Sequence, residues 1–261
     1  MGIRIIGCGA MGSAFAHQLS KSGQKISLYD KDKPRAEKLA SEVQGKVCAE
    51  PLEKIGADDF LLLAIKPQDL PAAASQLQDF SGSLIMSILA GVTMAQLQHY
   101  FRSKPILRMM PNLAVKYGNG VIALVENPAL LPLKERIEAT LKPLGYLHWF
   151  PEASFNAVTA LTGSGPAFIF SLIEAMVDAA VAMGLPAESG LTLTQQMIEG
   201  SLTTLKHSNG ELSSLKWQVT SPSGTTIAGI REFEKNKVRS GVMETFLAAY
   251  RRAIELGEKN Q

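Results

Sequence analysis

Short runs of apolar and β-branched residues recur through the first half of the chain, at 3–6, 25–29, 60–65, 84–89 and 106–110. Between them the period lengthens to that of amphipathic helices, for instance at 12–22 and 34–43. Strands apolar on both faces and separated by helices predict a parallel sheet covered on both sides. Two further strands are expected at 121–125 and 146–150, around a helix at 131–141. After Pro151 the strand signal stops, and 165–183, 186–206 and 237–259 read as long helices punctuated by Gly184, Gly210 and Gly224. The first two are crowded with small and apolar residues, in A-M-V-D-A-A-V-A-M-G and T-Q-Q-M-I-E-G-S. A helix apolar nearly all round must be buried on most sides. The pattern therefore predicts an α/β domain over residues 1–151 and an all-α domain over 152–261. The second is expected to complete its burial against another copy of itself, as a homodimer.

Composition narrows the function classes. At 261 residues the chain can bury two cores. Its formal net charge of +2, with no long basic run, lacks the footprint of a nucleic-acid binder. No apolar run is read as reaching the roughly 18 residues of a bilayer-crossing helix, so no membrane association is expected. The N-terminus opens at once on a strand and a glycine turn, which leaves no room for a signal peptide. A cytoplasmic protein is the expectation. Cys8 and Cys48 form neither a metal-ligand spacing nor a disulfide framework, and the four histidines are scattered, so no metal site is expected.

The first chemical motif is Gly7-Cys8-Gly9-Ala10-Met11-Gly12, which follows the first strand directly and opens a helix. Gly7 allows a tight turn, Gly9 lets a pyrophosphate approach the backbone, and Gly12 permits close helix–strand packing. Asp30 ends the second strand, near the expected ribose position, where an acidic residue favours the free 2′-hydroxyl of NAD. Lys31, Lys33 and Arg35 follow it and are placed to hold the 2′-phosphate of NADP instead, so the residues leave cofactor preference open. Ala64-Ile65-Lys66-Pro67 and Leu89-Ala90-Gly91 end two later strands, and the carboxyl ends of strands face the ligand crevice in an open α/β sheet.

The second motif is V-T-S-P-S-G-T-T-I-A-G-I at 219–230. Ser221 is a good N-cap and Pro222 suits a first helical position. Gly224 allows close approach, and Thr225 and Thr226 add hydroxyls to the first turn. A helix N-terminus of this kind suits a small anion carrying a basic atom beside its carboxylate.

Together, G-C-G-A-M-G (7–12), A-I-K-P-Q (64–68), S-I-L-A-G-V-T (87–93), R-M-M-P-N (108–112), V-T-A-L-T-G-S-G-P-A-F (158–168) and S-P-S-G-T-T-I (221–227) resemble the pyrroline-5-carboxylate reductase family across nearly the whole chain. The resemblance implies a Rossmann-type N-terminal domain and an all-helical C-terminal dimerisation domain, with five dimers often forming a decamer. It implies reduction of Δ1-pyrroline-5-carboxylate to L-proline, the last step of proline biosynthesis, by NADPH or NADH, with NADPH favoured. Thr226 matches the threonine that hydrogen-bonds the imine nitrogen. Ser221, Gly224 and Thr225 match the carboxylate-binding turn, and Glu152 matches an acidic residue near the substrate nitrogen. Expected cofactor contacts are Gly7, Cys8, Gly9, Ala10, Met11, Gly12, Asp30, Lys31, Ala64, Ile65, Lys66, Pro67, Ala90 and Gly91. Gln218 falls where relatives often have Asn near the nicotinamide. The chain departs from the family pattern at Ala10, at Glu50-Pro51 and at Ser223, which replaces the first glycine of S-P-G-G. If the backbone at Ser223 needs a positive φ, serine costs about 1 kcal/mol. Alternatives to the reductase are a related imine or β-hydroxyacid reductase and a non-catalytic NADP-binding sensor.

Overall fold

The structure, a computed structural model, describes residues 2–102, 104–208 and 210–259. In chain order the elements are β1 (Gly2–Ile6), α1 (Ala10–Lys21), β2 (Lys25–Tyr29), α2 (Lys33–Val43), β3 (Lys46–Val47), β4 (Phe60–Leu63), α3 (Leu70–Gln76) and β5 (Leu84–Ser87). They continue as α4 (Met94–Phe101), β6 (Ile106–Pro111), β7 (Gly120–Val125), α5 (Lys134–Leu141), β8 (Gly145–Phe150) and α6 (Phe155–Val158). The last five are α7 (Gly165–Ala182), α8 (Ala187–His207), α9 (Leu212–Gln218), α10 (Thr225–Lys235) and α11 (Val238–Lys259).

The chain divides into two compact units. One holds the chain up to Ser164 and again from Ala249; the other is Gly165–Ala248. The strands end at Phe150, but the first unit runs on because Phe155 and Val158 are buried with side chains of the sheet.

The first unit is built on an eight-stranded sheet in the order β3-β2-β1-β4-β5-β6-β7-β8. Strand order reverses between β1 and β4, and the carboxyl ends of strands at such a switch point open the ligand crevice. Phe60-Leu61-Leu62-Leu63 shows why both faces are covered: Phe60 and Leu62 join Phe15, Leu19 and Leu28 in one core. Leu61 and Leu63 join Leu77, Phe80 and Leu97 in the other. Period-2 alternation sends successive side chains to opposite faces, so a continuous apolar run marks a strand buried twice.

Two features depart from the expected sheet. The five strands expected to form a parallel sheet, β1, β2, β4, β5 and β6, do pair in parallel, but β7, one of the two further strands, runs antiparallel to β6 and makes the sheet mixed. Only a short link around a 3-10 turn at Leu113–Tyr117 joins these strands, and a parallel pairing needs a crossover of a dozen residues or more. β3, two residues long and paired to β2, was not expected; it is too short to show alternation.

In the second unit α7 packs on α8 with Ala180 beside Gly190, where a Cβ would lie 2.9 Å from the alanine methyl. Phe168 meets Phe246 edge-on at 5.1 Å between ring centroids. Within the single chain, Ile169, Phe170, Met176, Leu193 and Met197 stay exposed, the surface expected of helices that are apolar all round. The expectation of no span-length apolar segment is corrected here. Glu152–Ala182 is helical, 31 residues long and of mean hydropathy 1.5 in its most apolar window, enough by length and composition to cross a membrane. Reading it as α7 alone understated it, because helical structure begins before Gly165 and only Glu174 and Asp178 charge α7 itself.

Candidate active site

The dinucleotide crevice begins where β1 ends. Gly7 has φ +98 and donates its N–H to Tyr29 O at 2.8 Å, turning the chain toward α1. A Cβ on Gly7 would overlap the Ala64 backbone, and one on Gly12 would overlap the Gly7 carbonyl. At Gly9 a Cβ would meet nothing within 4 Å. Gly9 is also the N-cap of α1 and has no side-chain cap of its own, so the helix presents its first N–H groups over open space. This is the cradle a diphosphate needs: close packing beneath, clearance above, and the positive end of a helix dipole.

A cavity of about 490 Å³ gathers many of the expected cofactor residues: Gly7, Gly9, Asp30, Lys31, Ala64, Ile65 and Lys66 all line it, with Pro51 and Arg35. Cys8 and Ala10 instead line an adjacent depression with Arg35 and Lys38. Gly12 is buried and Met11 packs against the core, so both support the loop from beneath. Pro67 opens a 3-10 turn whose N-cap is Lys66. Asp30 is tied to the loop itself: its Oδ2 accepts from Cys8 N–H at 2.7 Å. The Cys8 thiol is pushed up to about 12 by burial and then by the Asp30 charge, so it is an inert packing group rather than a nucleophile. Arg4, buried in β1, donates to Pro51 O at 2.5 Å and Glu53 O at 2.7 Å. It thereby fixes the Glu50-Pro51 segment at the edge of the crevice.

Ala90 and Gly91 lie between β5 and α4. Ala90 is exposed, and Gly91 lines a third cavity, about 430 Å³, with Thr93, Arg108, Glu152 and Asn156. Glu152, expected at the substrate, has Oε1 engaged twice within the first unit: by Met94 N–H at 2.7 Å and by the Arg108 guanidinium at 2.5 Å. Arg108 was not among the expected site residues. It lies in β6, buried, with its guanidinium 4.9 Å from the Phe155 ring centroid. Burial lowers its pKa, against the opposing pull of Glu152. The signal for it was present as an arginine inside the apolar run I-L-R-M-M, since a buried cation requires a partner.

In the second unit the 219–230 segment differs from the expected capped helix. Gly224 N–H donates to Ser221 O at 3.2 Å, closing a four-residue turn with Pro222 second and Ser223 third. Ser223 has φ +58, the left-handed value that the third position of a type II turn demands. The helix, α10, then starts at Thr225 with Gly224, not Ser221, as N-cap. Pro222 is thus a turn residue rather than a first helical residue; the Ser-Pro pair serves either start equally well. A Cβ on Gly224 would overlap the Ser221 hydroxyl. Ser221, Gly224, Thr225 and Thr226 therefore come together at one helix N-terminus that no side chain caps. Gln218 ends α9 and is exposed.

A glycine cradle at the switch point of a doubly covered sheet, joined to an all-helical unit, defines a Rossmann-type NAD(P)-binding oxidoreductase. Residues 2–91 match the family of NADP oxidoreductases described as coenzyme F420-dependent, and residues 152–256 match the pyrroline-5-carboxylate reductase dimerisation family. The chain is 34% identical to the pyrroline-5-carboxylate reductase of Synechocystis sp. over 98% of both proteins. It is 35% identical to that of Aquifex aeolicus over 98% of this chain and 97% of the other. The chain belongs to the pyrroline-5-carboxylate reductase family. Among solved structures, the Plasmodium falciparum reductase with NADP bound superposes with a TM-score of 0.87 at 26% identity, covering 98% of this chain and 100% of that one. The Streptococcus pyogenes reductase gives 0.89 at 29% identity, covering 97% and 98%.

Proposed function

We propose that this protein reduces Δ1-pyrroline-5-carboxylate to L-proline with NAD(P)H, as the last step of proline biosynthesis in the cytoplasm. The observation that carries the substrate side is the Ser221–Gly224 turn, which opens α10 with two threonines and an uncapped N-terminus. The Thr225 N–H and the Ser221 hydroxyl hold the carboxylate, above the turn that the Gly224 N–H closes on Ser221 O; the helix dipole neutralises it without an arginine. The Thr226 hydroxyl donates to the ring nitrogen, keeping electron density away from the C=N carbon as hydride arrives.

The nicotinamide, when bound, supplies that hydride. The chain's own residues orient and hold. The 7–12 loop and the start of α1 receive the diphosphate, while Asp30 and Lys31 stand at the ribose end. Ala64, Ile65 and Lys66 line the crevice further along, and Pro67, Ala90 and Gly91 are further cofactor contacts of this unit; Gln218 is a cofactor contact from the helical unit. Glu152 holds the turn that carries Ala90 and Gly91 against β6, through Met94 and Arg108. Orientation of this kind is the protein's main contribution in cofactor enzymes.

Residues 152–261 act as the dimerisation and substrate domain. The exposed apolar faces of α7 and α8 are covered by a second copy, which accounts for Glu152–Ala182 without a membrane. Pairing into a homodimer, and five dimers into a decamer, is the assembly this reading supports.

Substrate comparison tests the proposal. Purified protein should oxidise NADH or NADPH on addition of pyrroline-5-carboxylate and work at least tenfold more slowly on six-membered cyclic imines. Equal or faster turnover of the six-membered ring would assign it to another imine reductase. Absence of oxidation with either would leave a nucleotide-binding protein without this activity.

A further inference from the structure

Asp30 is held from both sides. Its Oδ2 accepts from Cys8 N–H at 2.7 Å and its Oδ1 from Asp32 N–H at 2.9 Å. A carboxylate fixed by two backbone groups cannot turn away from a ligand. It lines the same cavity as Gly7 and Gly9, at the carboxyl end of β2, where the adenosine ribose of a dinucleotide belongs. Each oxygen keeps a further lone pair, so the group can still accept hydrogen bonds from a ribose diol. A 2′-phosphate carries little hydrogen to donate and brings negative charge against it.

The cations that follow Asp30 most closely in sequence each face a carboxylate. Lys31 Nζ lies 3.1 Å from Asp69, Arg35 lies 3.2 Å from Asp32, and Lys33 lies 3.7 Å from Glu37. These three cations thus face three carboxylates, Asp30 adds a further negative charge with no cation paired to it among those contacts, and Lys66 lines the same cavity.

We infer that Asp30 makes this enzyme select NADH over NADPH, at least tenfold, by accepting from the free ribose diol and repelling the 2′-phosphate. The inference rests on reading the crevice as a dinucleotide site and narrows the pair of nucleotides assigned above to one.

Calorimetric titration of the full-length protein with ADP-ribose and with its 2′-phosphate isolates the ribose end from the nicotinamide and from turnover. The unphosphorylated probe should bind at least tenfold more tightly. In Asp30→Asn, which keeps an acceptor for Cys8 N–H but loses the charge, that ratio should fall at least fivefold. Equal or tighter binding of the 2′-phosphate by the unmodified protein would overturn the inference, whether or not the variant folds. So would an unchanged ratio in a folded Asp30→Asn. Selective binding of ADP-ribose without reduction of pyrroline-5-carboxylate would uphold Asp30 and overturn only the substrate assignment.

Discussion

The Arg108 guanidinium and Glu152 Oε1 meet at 2.5 Å, joining the middle of β6 to the segment that follows β8. The same oxygen accepts from Met94 N–H, so one carboxylate fixes both a buried cation and the start of α4. Removing one partner of a buried pair costs roughly 3–5 kcal/mol, because the remaining charge stays desolvated. Glu152 keeps 36% of its side-chain surface in water, which screens the effect.

Glu152→Ala should therefore destabilise the protein by about 2 kcal/mol, less than a fully buried pair would lose. Glu152→Gln, which retains an acceptor for both donors, should lose about half as much. Urea denaturation of the two variants checks the order. Equal stability of all three proteins would show that the pair contributes nothing.

Ser223 occupies a left-handed backbone conformation, with φ +58. A residue with a Cβ pays about 1–2 kcal/mol there, partly returned because glycine has the more flexible unfolded chain. Ser223→Gly should raise stability by about 0.5–1 kcal/mol, and Ser223→Val should lower it by about 1 kcal/mol or more. Thermal unfolding would detect either change. A destabilised Ser223→Gly would mean that the serine side chain makes a contact worth more than the strain.

Thr226→Ala should lower kcat by roughly 10- to 1000-fold if the hydroxyl supports the imine nitrogen. Thr226 is the second residue of α10 and only half-buried, so stability should change little. Steady-state kinetics at saturating nucleotide decides the point, and an unaltered kcat would remove the assigned role.

Cys8 gives a prediction in alkali. Its thiol is raised from 9.0 to about 12 in the folded protein, so between those values the native state holds a proton that the unfolded chain releases. The resulting stabilisation is fully present below about pH 9 and is lost as pH rises toward 12. Cys8→Ser should flatten the alkaline part of the stability curve, measured as denaturation midpoint against pH. A curve of identical slope would place the alkaline loss elsewhere.

How much could be read without coordinates followed from what kind of information local sequence holds. The double-sided strands were plain in F-L-L-L and L-I-M-S, because burial writes itself directly as continuous apolarity. Strand direction leaves no such mark, and β7 turned out antiparallel to its neighbour. The glycine loop was legible residue by residue: Gly7, Gly9 and Gly12 each hold the place their spacing implied. The start of α10 was misplaced by three residues, since Ser-Pro serves both as a helix start and as the first half of a turn. Only the positive φ of Ser223 separates those outcomes, and φ depends on the whole turn closing. Arg108 announced itself as a charge in an apolar strand, but its partner lay 44 residues away and no local pattern could name it.

Hydride transfer to the C=N carbon of a five-membered cyclic imino acid is open to a direct isotope experiment. Purified protein would be given pyrroline-5-carboxylate with nicotinamide nucleotide deuterated at C4 on the transferring face, and the product analysed by mass spectrometry and NMR. L-proline should carry one deuterium at C5 for each nucleotide oxidised. Nucleotide oxidation without labelled proline, or binding of the nucleotide with no oxidation at all, would contradict it.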